Sequence, residues 1–175
     1  MNGFIKPENI IAQVALRSGD RVADFGCGSG FYTIPAAKAV GASGLVYAFD
    51  LLDEKLSATL SAARGFGLHN VKPVRANLEL PLSGVEPLTF DMVLLGNILH
   101  QVRTADAVLR NAYGLLKTEG RLVAIEWKPG NTPFGPAPEK RLSESTLASQ
   151  LEKFHFKKLK NLEVDGYHYA VIFQK

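Results

Sequence analysis

The sequence predicts an α/β fold, a doubly wound parallel sheet in three layers, with helices on both faces and an antiparallel strand added by a C-terminal hairpin. Three observations lead there. Apolar runs of strand length alternate with longer amphipathic stretches, the order of a parallel sheet joined by helical crossovers. The first run, "RVADF" at 21–25, passes directly into the glycine-rich "GCGSG" of residues 26–30. The last two strand-like runs, 157–164 and 167–174, meet at Asp165-Gly166, a dipeptide that marks hairpins.

Residues 7–17, "PENIIAQVALR", read as a short helix, with Pro7 in the first turn where its missing N–H has no partner to lose. After the strand at 21–25, "GFYTIPAAKAV" (30–40) reads as a helix in which Pro35 lies late and is expected to bend it. "GLVYAFD" (44–50) is the second strand, and residues 53–67 form a helix ended by glycine. "VKPVRAN" (71–77) is the third strand. Two prolines and a glycine in 78–90 make that crossover irregular. "DMVLLG" (91–96) is the fourth strand. Residues 104–120 carry apolar groups at helical spacing (Val108, Leu109, Ala112, Leu115, Leu116), with Thr104 as cap and Gly120 as stop. "RLVAIEW" (121–127) is the fifth strand. A Pro/Gly loop over 128–138 then leads to a helix over 143–156 capped by Ser143.

At 175 residues the chain is long enough for one domain with a sizeable core, expected over 1–175. It has no apolar run long enough to span a bilayer, and "MNGFIKPENI" lacks the basic and apolar regions of a signal peptide. Cys27 is the single cysteine, which precludes an internal disulfide and fits a cytoplasmic protein. Part of the net charge of +3 comes from Lys153, Lys157, Lys158 and Lys160. Those lysines are either a phosphate-binding patch or the guarded edge of a sheet, and the absence of a known nucleic-acid-binding motif favours the edge. No His/Cys/Asp/Glu group has metal-ligand spacing, so no metal is expected.

Glycines at alternate positions after a strand let the backbone turn tightly and approach a ligand with no Cβ in the way. The dinucleotide fingerprint is G-x-G-x-x-G. Here Gly26, Gly28 and Gly30 give G-x-G-x-G, and Phe31 occupies the place of the third dinucleotide glycine. Asp24 sets a negative charge beside the turn, which suits an ammonium or sulfonium better than a pyrophosphate. Asp50 ends the second strand, where a carboxylate can accept from both hydroxyls of a ribose. Leu51 and Leu52 follow it and are placed to cover an adenine face. Asn77, after the third strand, offers an amide donor and acceptor. Gly96 and Asn97 end the fourth strand on the same rim.

With these pieces in order, the chain resembles the class I S-adenosylmethionine-dependent methyltransferases, through "VADFGCGSG", "YAFD", "RANLEL", "FDMVLLGNILHQV" and "LKTEGRLVAIEW". It is most similar to the small-molecule group that includes the ubiquinone/menaquinone and arsenite methyltransferases. The resemblance runs over roughly residues 8 to 174. It implies a Rossmann-like sheet of order 3-2-1-4-5-7-6 with strand 7 antiparallel. It also implies S-adenosyl-L-methionine as cofactor, with Asp24, Gly26, Gly28 and Gly30 at the methionine part, Asp50 at the ribose, and Asn77 and Leu78 at the adenine. Many relatives carry aspartate where Asn77 stands. Larger relatives have a longer N-terminal segment and an inserted lid, and the single cysteine departs from the arsenite branch.

Within that resemblance, His100 lies where a methyl acceptor would sit, as a base or orienting group, or else as a rim histidine bonded to backbone. Tyr32, Ile98, Leu99 and Trp127 are expected to form an apolar acceptor pocket at the ends of the first, fourth and fifth strands. Cys27 is either an activated thiol at a helix N-terminus or small filler between glycines. His69 and His155 read as surface residues, and His168 as sheet packing. The function expected is methyl transfer to a small molecule with an apolar or aromatic body. The alternatives are an RNA methyltransferase using the lysine patch, a non-catalytic S-adenosylmethionine-binding module, and an oxidoreductase, which Phe31 and Asp24 disfavour.

Overall fold

The apolar runs form seven strands: β1 Arg21–Phe25, β2 Leu45–Asp50, β3 Val71–Arg75, β4 Phe90–Gly96, β5 Leu116–Trp127, β6 Lys157–Leu162 and β7 His168–Gln174. The structure, a computed structural model, describes residues 4–175; the first three residues of the N-terminal stretch read above lie outside them. All seven strands share one sheet, in the order β3-β2-β1-β4-β5-β7-β6. β1 runs parallel to β2 and β4, β2 to β3, and β4 to β5, whereas β7 is antiparallel to β5 and β6. Strand order reverses between β1 and β4, so the carboxyl ends of β1, β2, β4 and β5 border one crevice.

Alternate residues of each strand face opposite sides of the sheet, and a helical layer covers each side. On one face, Ile10, Ile11 and Val14 of α1 (Pro7–Val14) and Ala36, Ala37 and Val40 of α2 (Thr33–Val40) pack on Val22, Val46, Met92, Leu94, Val123 and Ile125. α3 (Asp53–Gly65) packs Leu56 against Ala48 and Cys27 and contacts α2, which puts it on the same side. On the other face, Val108, Leu109 and Ala112 of α4 (Ala105–Leu115) and Leu147 and Leu151 of α5 (Glu144–Glu152) cover Ala23, Phe25, Val93, Leu95, Leu122 and Ala124. Each large apolar side chain buried this way contributes about 1.5–3 kcal/mol. That burial, more than intrinsic propensity, holds helices as short as α1 and α2. The irregular crossover 76–89 contributes Leu82 and Val85 to this second face. Among the described residues no helix is long and apolar enough to cross a membrane.

Several elements differ from the sequence expectation. α2 starts at Thr33, not at residue 30, so Pro35 falls in the first turn, where its lacking N–H costs no helical bond. α4 stops at Leu115, because Leu116 is fully buried and pairs with Phe90 in the sheet. Residues 117–120 then step outward, with Glu119 at φ +63°, before Arg121 pairs with Met92. A Cβ on Gly120 would lie 2.8 Å from the Lys117 carbonyl, so Gly120 serves this step and not a helix end. Thr104 occupies the N-cap of α4 without a side-chain cap bond; its N–H and that of Arg103 donate to Glu79 instead. Ser143 does cap α5, accepting from Thr146 N at 3.1 Å. The hairpin forms, but residues 163–167 connect it, so Asp165-Gly166 is not a two-residue turn.

β6 is an edge strand, exposed except at Leu162. Its lysines blunt the edge: Lys158 pairs with Glu144 at 2.7 Å and Lys160 donates to Gln13 O.

Candidate active site

The turn after β1 has the geometry its glycines allow. Gly26, Gly28 and Gly30 have φ of +75°, +55° and +91°, a region unfavourable to side chains. Their surroundings differ. A Cβ at Gly26 would meet Ile98 at 2.7 Å, and one at Gly30 would press on Ile34 and Thr59. At Gly28 nothing among the described residues lies within 4 Å of an added Cβ, so this glycine faces open space. Asp50 ties the turn to β2, its Oδ2 accepting from Gly28 N and its Oδ1 from Leu52 N, each at 3.0 Å. A carboxylate has about four lone-pair sites, so each oxygen can still accept from a ligand hydroxyl. Leu51 and Leu52 beside it are exposed apolar side chains.

Asp24 is buried below the turn and accepts from Thr33 Oγ1. Burial, with a further push from the Asp50 charge, raises its carboxyl to about 6 against the lowering effect of the Thr33 bonds. Cys27 is not an activated thiol. Burial and the charge of Asp24 push it up to about 12, and it packs with Ala48 and Leu56 as filler.

The β3 rim departs from expectation in two residues. Asn77 is exposed, but its Oδ1 accepts from Glu79 N at 3.0 Å, which leaves the amide N–H₂ as its free group. Leu78 turns inward and is buried in the core facing α4, so its side chain covers no ligand face. At β4, Gly96 lacks a Cβ because the Tyr32 ring occupies the space, 2.4 Å from where that atom would be. Asn97 follows in a left-handed conformation, φ +56°, and its Oδ1 is buried with no partner among the described residues. A buried carbonyl oxygen with no donor is costly unless something supplies one.

The four residues expected to line an acceptor pocket separate. Ile98 packs on Gly26. Leu99 is buried in the α4/α5 core, because the left-handed Asn97 turns the chain back under the sheet end. Tyr32 is buried on the α1/α2 face. Trp127 is half-buried above that face, one strand register beyond Ile125. Burial, then the charges of Asp24, Asp165 and Glu126, push the Tyr32 phenol above its ordinary range, so its hydroxyl stays protonated. His100 bonds to a side chain and not to backbone: Nδ1 lies 2.8 Å from Glu126 Oε2. Glu126 Oε1 accepts from Leu99 N at 2.7 Å, and the carboxylate is fully buried. The glutamate thus fixes the imidazole with its other nitrogen turned outward.

Some residues of this region escaped sequence reasoning. Arg141 is buried and donates to the carbonyls of Lys128, Gly130, Phe134 and Pro136, folding the Pro/Gly loop onto Trp127. A Cβ on Gly135 would lie 2.6 Å from the indole, so the loop backbone rests on the ring. Phe4, Phe134 and Tyr167 meet edge-on or stacked, with ring centroids 5.1–5.9 Å apart. Only the Pro/Gly composition marked this loop, and no local pattern pointed to its arginine clamp. Arg141→Leu is expected to release the loop at a stability cost of about 1–3 kcal/mol, the scale of lost charged hydrogen bonds. Limited proteolysis would then cut within 128–138, and the emission of the single tryptophan would shift red. Unchanged emission and cleavage would contradict the clamp.

A glycine turn at β1, an acidic residue ending β2, and a seven-stranded sheet whose one antiparallel strand is β7 together define a class I S-adenosylmethionine-dependent methyltransferase. The chain belongs to that family. It matches the methyltransferase domain family over residues 16–163. It is similar to the demethylmenaquinone methyltransferase of Lactobacillus johnsonii, 29% identical over 169 residues, covering 96% of this chain and 65% of that protein. It is also similar to the ubiquinone/menaquinone biosynthesis C-methyltransferase UbiE of Pasteurella multocida, 35% identical over 114 residues, 64% of this chain and 41% of that one. The chain therefore spans between 41% and 65% of the length of these two relatives. The crystal structure of a SAM dependent methyltransferase from Aquifex aeolicus superposes with a TM-score of 0.89 at 27% identity, covering 98% of this chain and 90% of that one. The cofactor of the family is S-adenosyl-L-methionine.

Proposed function

We propose that the protein transfers a methyl group from S-adenosylmethionine to a small molecule with an apolar or aromatic body, bound over Tyr32 and Trp127. The observation that carries this is the open face of Gly28 with the Asp50 carboxylate bonded to its amide, together with the Asp24 carboxylate buried below the same turn and the Asn97 oxygen at the end of β4 that has no partner among the described residues. A ligand presenting an ammonium, a sulfonium and two ribose hydroxyls matches it. The curated relatives named for demethylmenaquinone and for ubiquinone/menaquinone biosynthesis support a small-molecule acceptor. The lysines of β6 lie four strands from β1, and Lys158 is already paired, which weighs against RNA. The reading places the protein in the cytoplasm, where its one thiol stays reduced.

When bound, the cofactor supplies an electrophilic methyl group on a sulfonium. The chain's share of the work is mostly alignment and exclusion of water. Asp24 and Asn97 Oδ1 hold the methionine end, Asp50 the ribose hydroxyls, and the Asn77 amide donor an adenine nitrogen. His100, fixed by Glu126, takes a proton from the acceptor at its outer nitrogen. Its side chain keeps 10% of its surface exposed, so that proton can leave to solvent.

The Asp24 role sets a pH dependence. A carboxyl raised to about 6 stabilises the fold fully only below its ordinary value of 3.8, and that stability is lost as pH rises through 6. Ionisation therefore costs the unliganded fold about 3 kcal/mol by neutral pH, taking 1.36 kcal/mol per unit. An ammonium placed beside Asp24 recovers part of this and lowers the carboxyl again. S-adenosylhomocysteine binding is expected to release a proton below pH 6 and none above about pH 7.5, with affinity falling as pH drops. Calorimetry in buffers of different ionisation heat checks it, and equal heats at pH 5.5 would contradict the role.

The acceptor reading is tested by comparing transfer of labelled methyl to a metabolite extract and to total RNA. Labelling of the small-molecule fraction is expected. Salt-sensitive labelling of RNA, lost on replacing Lys157 and Lys158 with alanine, would overturn it. No turnover on either, with cofactor binding intact, would make this a binding module.

A further inference from the structure

Glu79 joins two stretches of chain that the proposed reading gives to different ligands. On the rim after β3, its N–H donates to Asn77 Oδ1 at 3.0 Å. Its carboxylate crosses to the far end of the segment that follows β4, where Oε1 accepts from Arg103 N at 2.9 Å and from Thr104 N at 2.7 Å. Thr104 is the N-cap of α4 and its own side chain makes no cap bond, so a glutamate 25 residues earlier closes this helix end. The N–H groups that open a helix have no partner within it, and the helix dipole favours a carboxylate there.

α4 grips the same turn in return. Asn111 Nδ2 donates to the carbonyls of Leu78 and Leu80, on either side of Glu79, each at 2.8 Å. Leu78 is buried in the core that α4 covers. The turn 77–80 and the start of α4 are therefore held together from both sides. Residues 97–104, which carry His100, run between two anchors. At the start, Asn97 N donates to Ile125 O and Leu99 N to Glu126, both on the buried strand β5. At the end, Arg103 and Thr104 rest on Glu79. That second anchor lies at the surface, with Asn77 and Leu80 exposed and Glu79 half-buried, so a ligand on the rim can reach it.

We propose that Glu79 is a positioning residue that couples the cofactor site to the acceptor segment. The inference rests on the methyltransferase reading above, in which the Asn77 amide meets the adenine and His100 the acceptor. Asn77 has its Oδ1 on Glu79 N and keeps its N–H₂ for a ligand. A ring nitrogen that takes this group fixes the side chain at both ends, and with it the turn that carries Glu79. The carboxylate then holds Arg103 and Thr104 in place, and the segment with His100 is ordered before an acceptor enters. The cofactor binds first, and the empty protein presents its base poorly aligned.

Hydrogen exchange of the Arg103 and Thr104 amides in ¹⁵N-labelled protein tests this. Three ligands are compared at saturation: S-adenosylhomocysteine, 5′-methylthioadenosine, which has the adenine and ribose without the amino acid, and homocysteine, which lacks both. The first two are expected to slow the two amides about tenfold, the scale of one hydrogen bond to a charged group, and homocysteine to leave them unchanged. The Thr146 amide, capped by Ser143 at the start of α5, is the reference against which slowing is counted. Glu79→Gln keeps an acceptor oxygen and should keep the response. Glu79→Ala should speed exchange at both amides and abolish the response to S-adenosylhomocysteine that still binds through Asp50. Asn77→Ala should keep the cap in the free protein and lose the response. A cap with a purely structural role would make exchange depend on Glu79 and not on the ligand. If S-adenosylhomocysteine binds and the two amides slow no more than Thr146, if homocysteine slows them equally, or if Asn77→Ala still responds, the coupling is wrong and the methyltransferase reading stands. The wild-type comparison decides even where Glu79→Ala fails to fold. If S-adenosylhomocysteine does not bind the wild type, both fall together.

Discussion

Gly28→Val is expected to weaken S-adenosylhomocysteine binding at least a hundredfold while the protein stays folded. Two effects act at this one position. The residue has φ +55°, where a β-branched side chain is a genuine outlier, so the turn is strained by roughly 1–3 kcal/mol. The space around its missing Cβ is open, with nothing among the described residues within 4 Å, so the fold accommodates the added carbon. On the proposed reading that open space belongs to the cofactor, and two methyl groups fill it. Gly26 and Gly30 make the contrast. A Cβ at either meets Ile98, or Ile34 and Thr59, so substitution there damages packing before it reaches any ligand. Circular dichroism with calorimetry on Gly28→Val separates the cases, and unchanged affinity would mean that the turn does not face the ligand.

Asp50→Ala should lower cofactor affinity by at least about 1.5 kcal/mol, more than tenfold, the scale of lost charge-assisted hydrogen bonds. The effect combines two losses. The ribose hydroxyls lose their acceptor, and Gly28 N and Leu52 N lose theirs, which loosens the turn. Asp50→Asn divides the two contributions. Asparagine offers one acceptor oxygen and presents N–H₂ to the second amide, so it retains one anchor and no charge. An intermediate affinity is expected. Asn equal to wild type would assign the whole effect to turn geometry and none to the carboxylate charge.

The legible parts of the sequence were those whose physics is local. The strand–glycine–acid series from Asp24 to Asp50 needs only a few neighbouring residues to declare itself, and so does the Ser143 cap. What escaped depended on partners far along the chain. Leu116 fits helical spacing, yet its pairing with Phe90 in the sheet outweighs the pattern and ends α4 early. Leu78 and Leu99 follow rim residues and read as rim residues, because sequence order does not say which way a side chain turns after a left-handed Asn97. The Arg141 clamp spans up to 13 residues of loop and binds carbonyls, which carry no sequence signature. His168 is the instructive case. Its partner Asp165 is three residues away, within reach of a local reading. Asp165-Gly166 reads as a hairpin signal and nothing more, whereas in the structure Asp165 Oδ1 accepts from the Tyr167 and His168 amides and also faces the imidazole.

The central claim is that the glycine turn and its acceptor rim bind S-adenosylmethionine and no dinucleotide. Isothermal calorimetry of the whole chain with S-adenosylmethionine, S-adenosylhomocysteine and NAD tests it most directly. Saturable one-site binding of both sulfur ligands, with no heat from NAD, is the expected result. Binding of NAD alone would contradict the account.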